Sequence, residues 1–308
     1  MYHFIVNPGA RTGKGKMLWD RLESIIKERK TEYAVYFTEY AGHATEIAKK
    51  ICSEHPENKR IVIVGGDGTA NEAVNGLSGY DSIVLGYIPT GSSNDLARGY
   101  GISSDPEKAL EAVLAPKKFR KVDHGLVEFL GDGGSRKFSV SCGIGYDADI
   151  CYKALTSKLK KALNKVGLGK TIYYLIGLRE IFSKHPASAE IELDGAVEVK
   201  CGKLIFAASM NLPIEGGGMP MAPEADPGDG KLDVCVARDI SKLTHITAMP
   251  LIFGGKHTRK KGIDVVRGSV VEIRTSEPLA VHTDGEHAGF HDHIRLSCLP
   301  EKITMIVG

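Results

Sequence analysis

Short apolar runs that end in glycine-bearing polar loops constrain this chain most, because they recur four times within its first 95 residues. Residues 2–7 form a strand-like run that opens into the glycine-rich stretch 9–15. Residues 33–38 lead toward Gly42, residues 60–64 end in Gly65-Gly66, and residues 82–88 end in the polar loop 89–95. Between them, residues 16–30 place Met17, Leu18, Leu22, Ile25 and Ile26 at helical spacing, and 44–52 and 71–77 read as further helices. Repeated β-α-β order demands a mostly parallel sheet with helices on both faces, because parallel neighbours need helical crossovers. Ligands of such sheets sit at the carboxyl ends of the strands, which is where these loops fall.

Beyond about residue 123 the texture changes. Residues 122–129, 137–142, 189–193, 197–209, 232–237, 270–275, 294–298 and 303–307 read as strands. Helical stretches are confined to 150–183, broken near 167–169, and 241–253. Many strands at short spacing predict an antiparallel, sandwich- or barrel-like second domain. The expected organisation is an α/β domain over 1–124 and a β-rich domain over 125–298, with 299–308 packing back on the first.

Composition narrows the function classes. With 308 residues, 42% of them hydrophobic and 25% charged, the chain has material for two folded cores. A formal net charge of +2 gives no case for a nucleic-acid partner. No apolar run approaches the roughly 20 residues that span a bilayer. Met1-Tyr2-His3-Phe4-Ile5-Val6 enters a strand directly, without a leader-like stretch. The six cysteines, Cys52, Cys142, Cys151, Cys201, Cys235 and Cys298, are scattered and form no C-x-x-C pair. They read as thiols of a cytoplasmic protein.

The strongest motif is Gly65-Gly66-Asp67-Gly68-Thr69-Ala70-Asn71-Glu72, directly after an apolar strand. Glycines let the main chain turn and approach a ligand closely, and the helix that follows offers free N–H groups to an anion. Asp67 adds a carboxylate suited to Mg²⁺, which prefers oxygen ligands and phosphates. The loop Asn7-Pro8-Gly9-Ala10-Arg11-Thr12-Gly13-Lys14-Gly15 is not a Walker A loop: three residues, not four, separate Gly9 from Gly13, and Gly15 stands where Ser or Thr should follow the lysine. Thr38 with Gly42-His43-Ala44, and Pro89-Thr90-Gly91-Ser92-Ser93-Asn94-Asp95, complete a set of loops that together describe a nucleotide cleft.

These loops resemble the diacylglycerol kinase catalytic-domain family, in its bacterial soluble lipid-kinase branch, related to sphingosine and ceramide kinases. The second half carries the matching Gly143-Ile144-Gly145-Tyr146-Asp147-Ala148, Asp226-Pro227-Gly228-Asp229-Gly230-Lys231-Leu232-Asp233 and Asp284-Gly285-Glu286. The resemblance follows family order over nearly the whole chain, departing at Ser92, where threonine is usual. It implies a phosphofructokinase-like α/β domain, a β-rich second domain, and ATP and Mg²⁺ in the cleft between them. It assigns Asn7, Pro8, Gly9, Ala10, Arg11, Thr38, Gly66, Asp67, Gly68, Thr69, Ala70, Asn71, Glu72, Ser92, Asn94 and Asp95 to the nucleotide. Asp226, Asp229 and the carbonyl of Lys231 resemble a structural Mg²⁺ site, although residues 226–233 would otherwise read as a solvated turn.

A D-G turn is by itself only a hairpin signal, and it is the resemblance that makes Glu286 the base. Asp284 supports it through metal or hydrogen bonding, and Asp67 completes the catalytic set. The implied reaction is phosphorylation of a lipid hydroxyl, diacylglycerol first, at a membrane surface reached from the cytoplasm. Other lipid acceptors (phosphatidylglycerol, a sphingoid base), an NAD kinase, which shares the Gly-Gly-Asp-Gly-Thr loop, and a nucleotide-regulated lipid-binding protein without turnover are the alternatives. Oligomeric state is open, a homodimer included. His282, His287, His291 and His293 crowd one segment without a standard zinc spacing. Residues 153–184 are basic and amphipathic, as fits an anionic membrane surface or a solvated helix face.

Overall fold

A computed structural model describes residues 1–307 except 14, 58, 132, 157–170, 184 and 185. The sheet of the first half is built from β1 (Tyr2–Val6), β2 (Tyr33–Phe37), β3 (Lys59–Gly65), β4 (Ile83–Pro89) and β5 (Lys118–Val122). Its strand order is β2-β1-β3-β4-β16-β5, where β16 (Ile303–Val307) comes from the end of the chain. All neighbours are parallel except β16 and β5. Such strands are covered on both faces and therefore read as continuous apolar runs. Phe4, Ile5, Val6, Ile61, Val62 and Ile63 accordingly are buried.

The helices of this half are α1 (Ala10–Gly13), α2 (Gly15–Glu28), α3 (His43–Glu54), α4 (Asp67–Gly76), α5 (Asp95–Gly99) and α6 (Pro106–Leu114). The period of α2 buries Leu18, Trp19, Leu22 and Ile26 on one face of the sheet, beside Phe4 and Val64. Ile47 and Ile51 of α3 and Ala73 and Val74 of α4 cover the other face. Helix α4 starts at Asp67, four residues before the expected start, so the 65–72 motif is itself a strand end and a first helical turn.

The second half is a ten-stranded antiparallel sheet. Its strands are β6 (Gly125–Phe129), β7 (Gly134–Phe138), β8 (Ser141–Gly145), β9 (Ala189–Leu193), β10 (Ala196–Cys201), β11 (Leu204–Met210), β12 (Leu232–Arg238), β13 (Ile263–Gly268), β14 (Val270–Thr283) and β15 (Glu286–Cys298). The path β13-β12-β11-β8-β14-β15-β6-β7 branches where β14 pairs with β8 at one end and with β9 at the other. Ile144, Ile191, Val234, Val236, Ile273, Val281 and Ile294 fill its core. Helices α7 (Tyr146–Thr156), Thr171–Ser183 and Lys242–Ile252 pack beside it.

Several expected boundaries move for identifiable reasons. The run 137–142 is two strands, because the main chain at Ser139 and Val140 turns its N–H groups toward Asp284. Residues 122–129 break at Asp123 and His124, where the chain leaves one sheet for the other. Residues 197–209 belong to two strands that turn back at Gly202 and Lys203. Strands β5 and β13 escaped prediction because they end their sheets and alternate too many polar residues to register as apolar runs. The suggested break at 167–169 and residues 157–170 and 184 of the basic stretch lie outside the described residues.

Candidate active site

The carboxyl ends of β1, β3 and β4 bring the first-half loops together through their main chains. Gly66 and Gly91 touch: a Cβ on Gly91 would lie 2.7 Å from the Gly66 Cα and 2.9 Å from Asn94 Oδ1. Asn94, in the left-handed region at φ +52, accepts the Gly91 N–H at 2.8 Å and returns a bond to the Gly91 carbonyl at 3.0 Å. Asn7 donates to Thr69 Oγ1 at 2.9 Å and accepts the Gly9 N–H at 2.9 Å, while the Ala10 N–H reaches the Asn7 carbonyl. Pro8 lies in the same turn. Glu72 accepts the Ala44 N–H, tying the 42–44 loop to α4, and Ala70 N–H closes the first α4 turn onto the Gly66 carbonyl. Thr38 continues β2 by donating its N–H to Val6. The side chain of Arg11 lies outside the described ones.

Asp67 stands where these loops meet. Burial, then the charge of Asp95, raises its pKa to about 6, against the opposing pull of the Asp95 and Leu96 N–H groups. An under-neutralised carboxylate of this kind fits a cation arriving with a nucleotide. Asp95 faces the other way and accepts the Gly217 N–H on both oxygens, at 2.9 and 2.8 Å, which clamps the second half to the first.

The hairpin between β14 and β15 supplies the opposite wall. Asp284, at φ +51, accepts N–H groups from Ser139 (2.9 Å), Val140 (2.7 Å) and Ser141 (3.1 Å), and the Asn71 side-chain amide at 2.8 Å. Four donors occupy its lone pairs, so Asp284 organises the turn and has little capacity left to take a proton or bind a metal. Asn71 meanwhile accepts from Arg136 at 2.8 Å, and Arg136 also reaches the His287 carbonyl. The side chain assigned to the nucleotide by resemblance therefore spends itself on joining the two halves. Glu286 projects to the floor of the first-half loop: a Cβ on Gly68 would lie 2.8 Å from its Oε1. A side chain at 68 would push the carboxylate from this position.

From this junction a cavity of about 560 Å³ runs into the second half. Asp67, Gly68, Ser92, Asp284 and Glu286 line one end, and Ile150, Phe206, Met249, Ile252 and Phe253 the apolar remainder. Two polar groups in its wall, Glu215 and His282, were assigned no site role by the sequence. Glu215 is buried, accepts from Ser141 Oγ at 2.5 Å, and has its pKa raised to about 7, chiefly by burial. His282 is buried against Asp147; burial lowers its pKa, but the hydrogen bond and charge of Asp147 outweigh this and leave it raised. Glu215 precedes three glycines and belongs to no motif, so no signal in the sequence marked it. His282 stood in the histidine-rich segment, which the structure disperses: His291 bonds the Ala288 carbonyl and His293 bonds Glu272. Among the described residues no three His, Cys, Asp or Glu side chains form a metal cluster.

The loop 226–231 lies apart from the cavity, and its residues are already engaged. Asp226 accepts from Arg120 and from Gly228 N–H. Asp229 accepts the Lys231 N–H at 3.0 Å, and the Lys231 carbonyl faces the Cys298 thiol. The Lys302 ammonium bonds the Gly228 carbonyl at 2.7 Å and lies 3.1 Å from Asp123 Oδ1. Arg120, local amides and the Cys298 thiol thus engage Asp226, Asp229 and Lys231, and the loop as folded does not fit the Mg²⁺ that the resemblance suggested.

A parallel-sheet domain whose glycine-bearing loops face a carboxylate at the mouth of an apolar cavity has the parts that a phosphotransferase of the lipid-kinase class requires. Residues 1–127 match the diacylglycerol kinase catalytic domain, and residues 141–307 match the YegS C-terminal NAD kinase beta sandwich-like domain. A Bacillus subtilis (strain 168) protein named "Putative lipid kinase YtlR" is 30% identical over 291 residues, 94% of each chain. A "Diacylglycerol kinase" of the same strain is 31% identical over 260 residues, covering 84% of this chain and 80% of that protein. The crystal structure of a "putative diacylglycerol kinase" from Bacillus anthracis str. Sterne superposes with a TM-score of 0.77 at 25% identity, covering 100% of this chain and 97% of that one. The chain belongs to the diacylglycerol kinase catalytic-domain family.

Proposed function

We propose that this protein transfers the γ-phosphoryl group of ATP to the free hydroxyl of a membrane lipid, diacylglycerol first among them, yielding phosphatidic acid. The observation that carries this reading is the meeting of Glu286 with Gly68 at the mouth of the apolar cavity. Phosphoryl transfer is catalysed mainly by positioning and charge stabilisation. The glycine loops and the first turn of α4 offer N–H groups to the phosphates. Asp67 would hold the Mg²⁺ that accompanies the nucleotide and neutralises charge developing on the phosphoryl oxygens. Glu286 takes the proton of the lipid hydroxyl as its oxygen bonds to phosphorus and the bond to the ADP oxygen breaks. The apolar wall receives hydrocarbon, which favours a lipid over NAD as acceptor. No helix among the described residues is long and apolar enough to cross a membrane; the lipid acceptor is reached at a membrane surface, from the cytoplasm.

The test is transfer of label from γ-labelled ATP with Mg²⁺ to diacylglycerol, phosphatidylglycerol or a sphingoid base in mixed micelles, with NAD in parallel. Labelled phosphatidic acid is the expected product. Labelling of another lipid replaces the acceptor and keeps the class, whereas labelling of NAD alone, or of nothing, overturns the proposal.

A further inference from the structure

The turn that presents Glu286 is held from two sides. Asp284 is fixed by the amides of Ser139, Val140 and Ser141. On the other side lies His282, 3% exposed, two residues before Asp284 on β14. Its Nδ1 lies 3.2 Å from the Gly285 nitrogen and its Nε2 lies 3.2 Å from Asp147 Oδ2. A main-chain N–H can only donate, so Nδ1 must be the unprotonated acceptor. The ring proton then sits on Nε2 and points at Asp147, which fixes the tautomer. Space for the pair comes from Gly143 on the adjoining strand β8: a Cβ there would lie 1.9 Å from Asp147 Oδ2 and 2.4 Å from His282 Nε2.

We infer that the chain Asp147–His282–Gly285 N–H positions Glu286 for proton transfer, making His282 a positioning residue for the lipid kinase reaction and Asp147 the group that orients it. His282 does not itself touch the reacting atoms. It fixes the amide immediately before Glu286, so the carboxylate leaves β15 in one direction, toward Gly68. Gly285, at φ +81, has no side chain to hold the turn by packing; the amide is the handle that remains. This inference rests on the reading of Glu286 as the base, and its test separates the two.

Three variants divide the functions of the ring. His282→Asn keeps an acceptor where Nδ1 stood, His282→Gln keeps a donor toward Asp147, and His282→Leu keeps neither. Misplacing a catalytic group by about 1 Å costs up to roughly 10²-fold. Leu and Gln should therefore lower kcat about 10- to 100-fold with KM for ATP near wild type, and Asn should restore most of the loss. Added to Glu286→Gln, the Leu change should have little further effect, because it acts through that residue. The inference is overturned if Asn is as impaired as Leu, if Leu matches wild type, or if the loss appears in KM for ATP. Nitrogen-15 NMR of the wild-type imidazoles at alkaline pH gives a readout independent of turnover. The expected His282 signature is the Nε2–H tautomer, and an Nδ1–H tautomer refutes the assignment. A wild-type protein that labels no lipid yet shows Nε2–H would overturn the kinase reading while sustaining the anchoring of Gly285.

Discussion

The wall of the cleft made by the parallel sheet differs from the wall made by the antiparallel sheet in what it offers a ligand. The first presents main chain: Gly66 against Gly91, the first turn of α4, and loops braced by Asn7 and Asn94. The second presents side chains, chiefly Glu286, held by a hairpin whose own Asp284 is consumed in bracing, and the buried Glu215, held by Ser141. Main-chain groups suit phosphates, which need many N–H donors and no proton transfer. Side-chain carboxylates suit an acceptor hydroxyl, which must lose a proton. On the proposed reading, binding and chemistry fall to different halves, and Asn71–Asp284 and Asp95–Gly217 keep the two in register.

That division can be broken most sharply at Glu286. Glu286→Gln keeps the size of the side chain but cannot take the proton, and it should lower kcat by about 10²–10⁴-fold while ATP affinity stays near wild type. Single-turnover phosphorylation of a short-chain diacylglycerol, with ATP binding followed separately, measures both. A loss below about fivefold in the chemical step, well under the general-base range, would remove Glu286 from that role. Asp284 would not inherit it, since its oxygens already face N–H donors.

The second carboxyl of that wall gives an effect on stability. Glu215 is raised from an ordinary 4.5 to about 7 by burial. A raised acid favours the fold fully below its unfolded pKa, and that contribution fades as pH climbs through the folded value. The gap is worth on the order of 3 kcal/mol once the carboxyl is ionised. Glu215→Gln carries no such charge, so its unfolding free energy relative to wild type should improve between about pH 5 and about pH 8. Denaturant melts at several pH values follow this, and a difference independent of pH would show that Glu215 is not a buried neutral acid.

The smallest effect belongs to the main-chain wall. Gly91→Ala would set a Cβ 2.7 Å from the Gly66 Cα, where backbone must move. A forced adjustment of that kind costs about 1–3 kcal/mol, and here it should emerge as KM for ATP raised about tenfold, at the low end of that range, with kcat at saturation little changed. Equal KM values for variant and wild type would mean that the two loops do not form one nucleotide surface.

What the sequence settled is local. Strand period, helix period and glycine at strand ends repeat within a few residues, so β1, β3, β4, α2 and the loops that follow the strands were legible, as was the D-G hairpin. The β-rich texture of the second half was legible too, but its pairings were not, because β14 divides its partners between β8 and β9. Tertiary structure alone decided the work of individual polar residues. Asn71 meets Asp284 across 213 positions of chain, and His282 meets Asp147 across 135. Asp226 and Asp229 are neutralised by Arg120, by Arg267 and by local amides, so a motif that suggested a metal loop became an internally braced turn. A carboxylate has the same letter in the sequence whether four N–H groups surround it or none. Only the fold supplies those donors, and they separate the bracing Asp284 from Glu286, which faces Gly68.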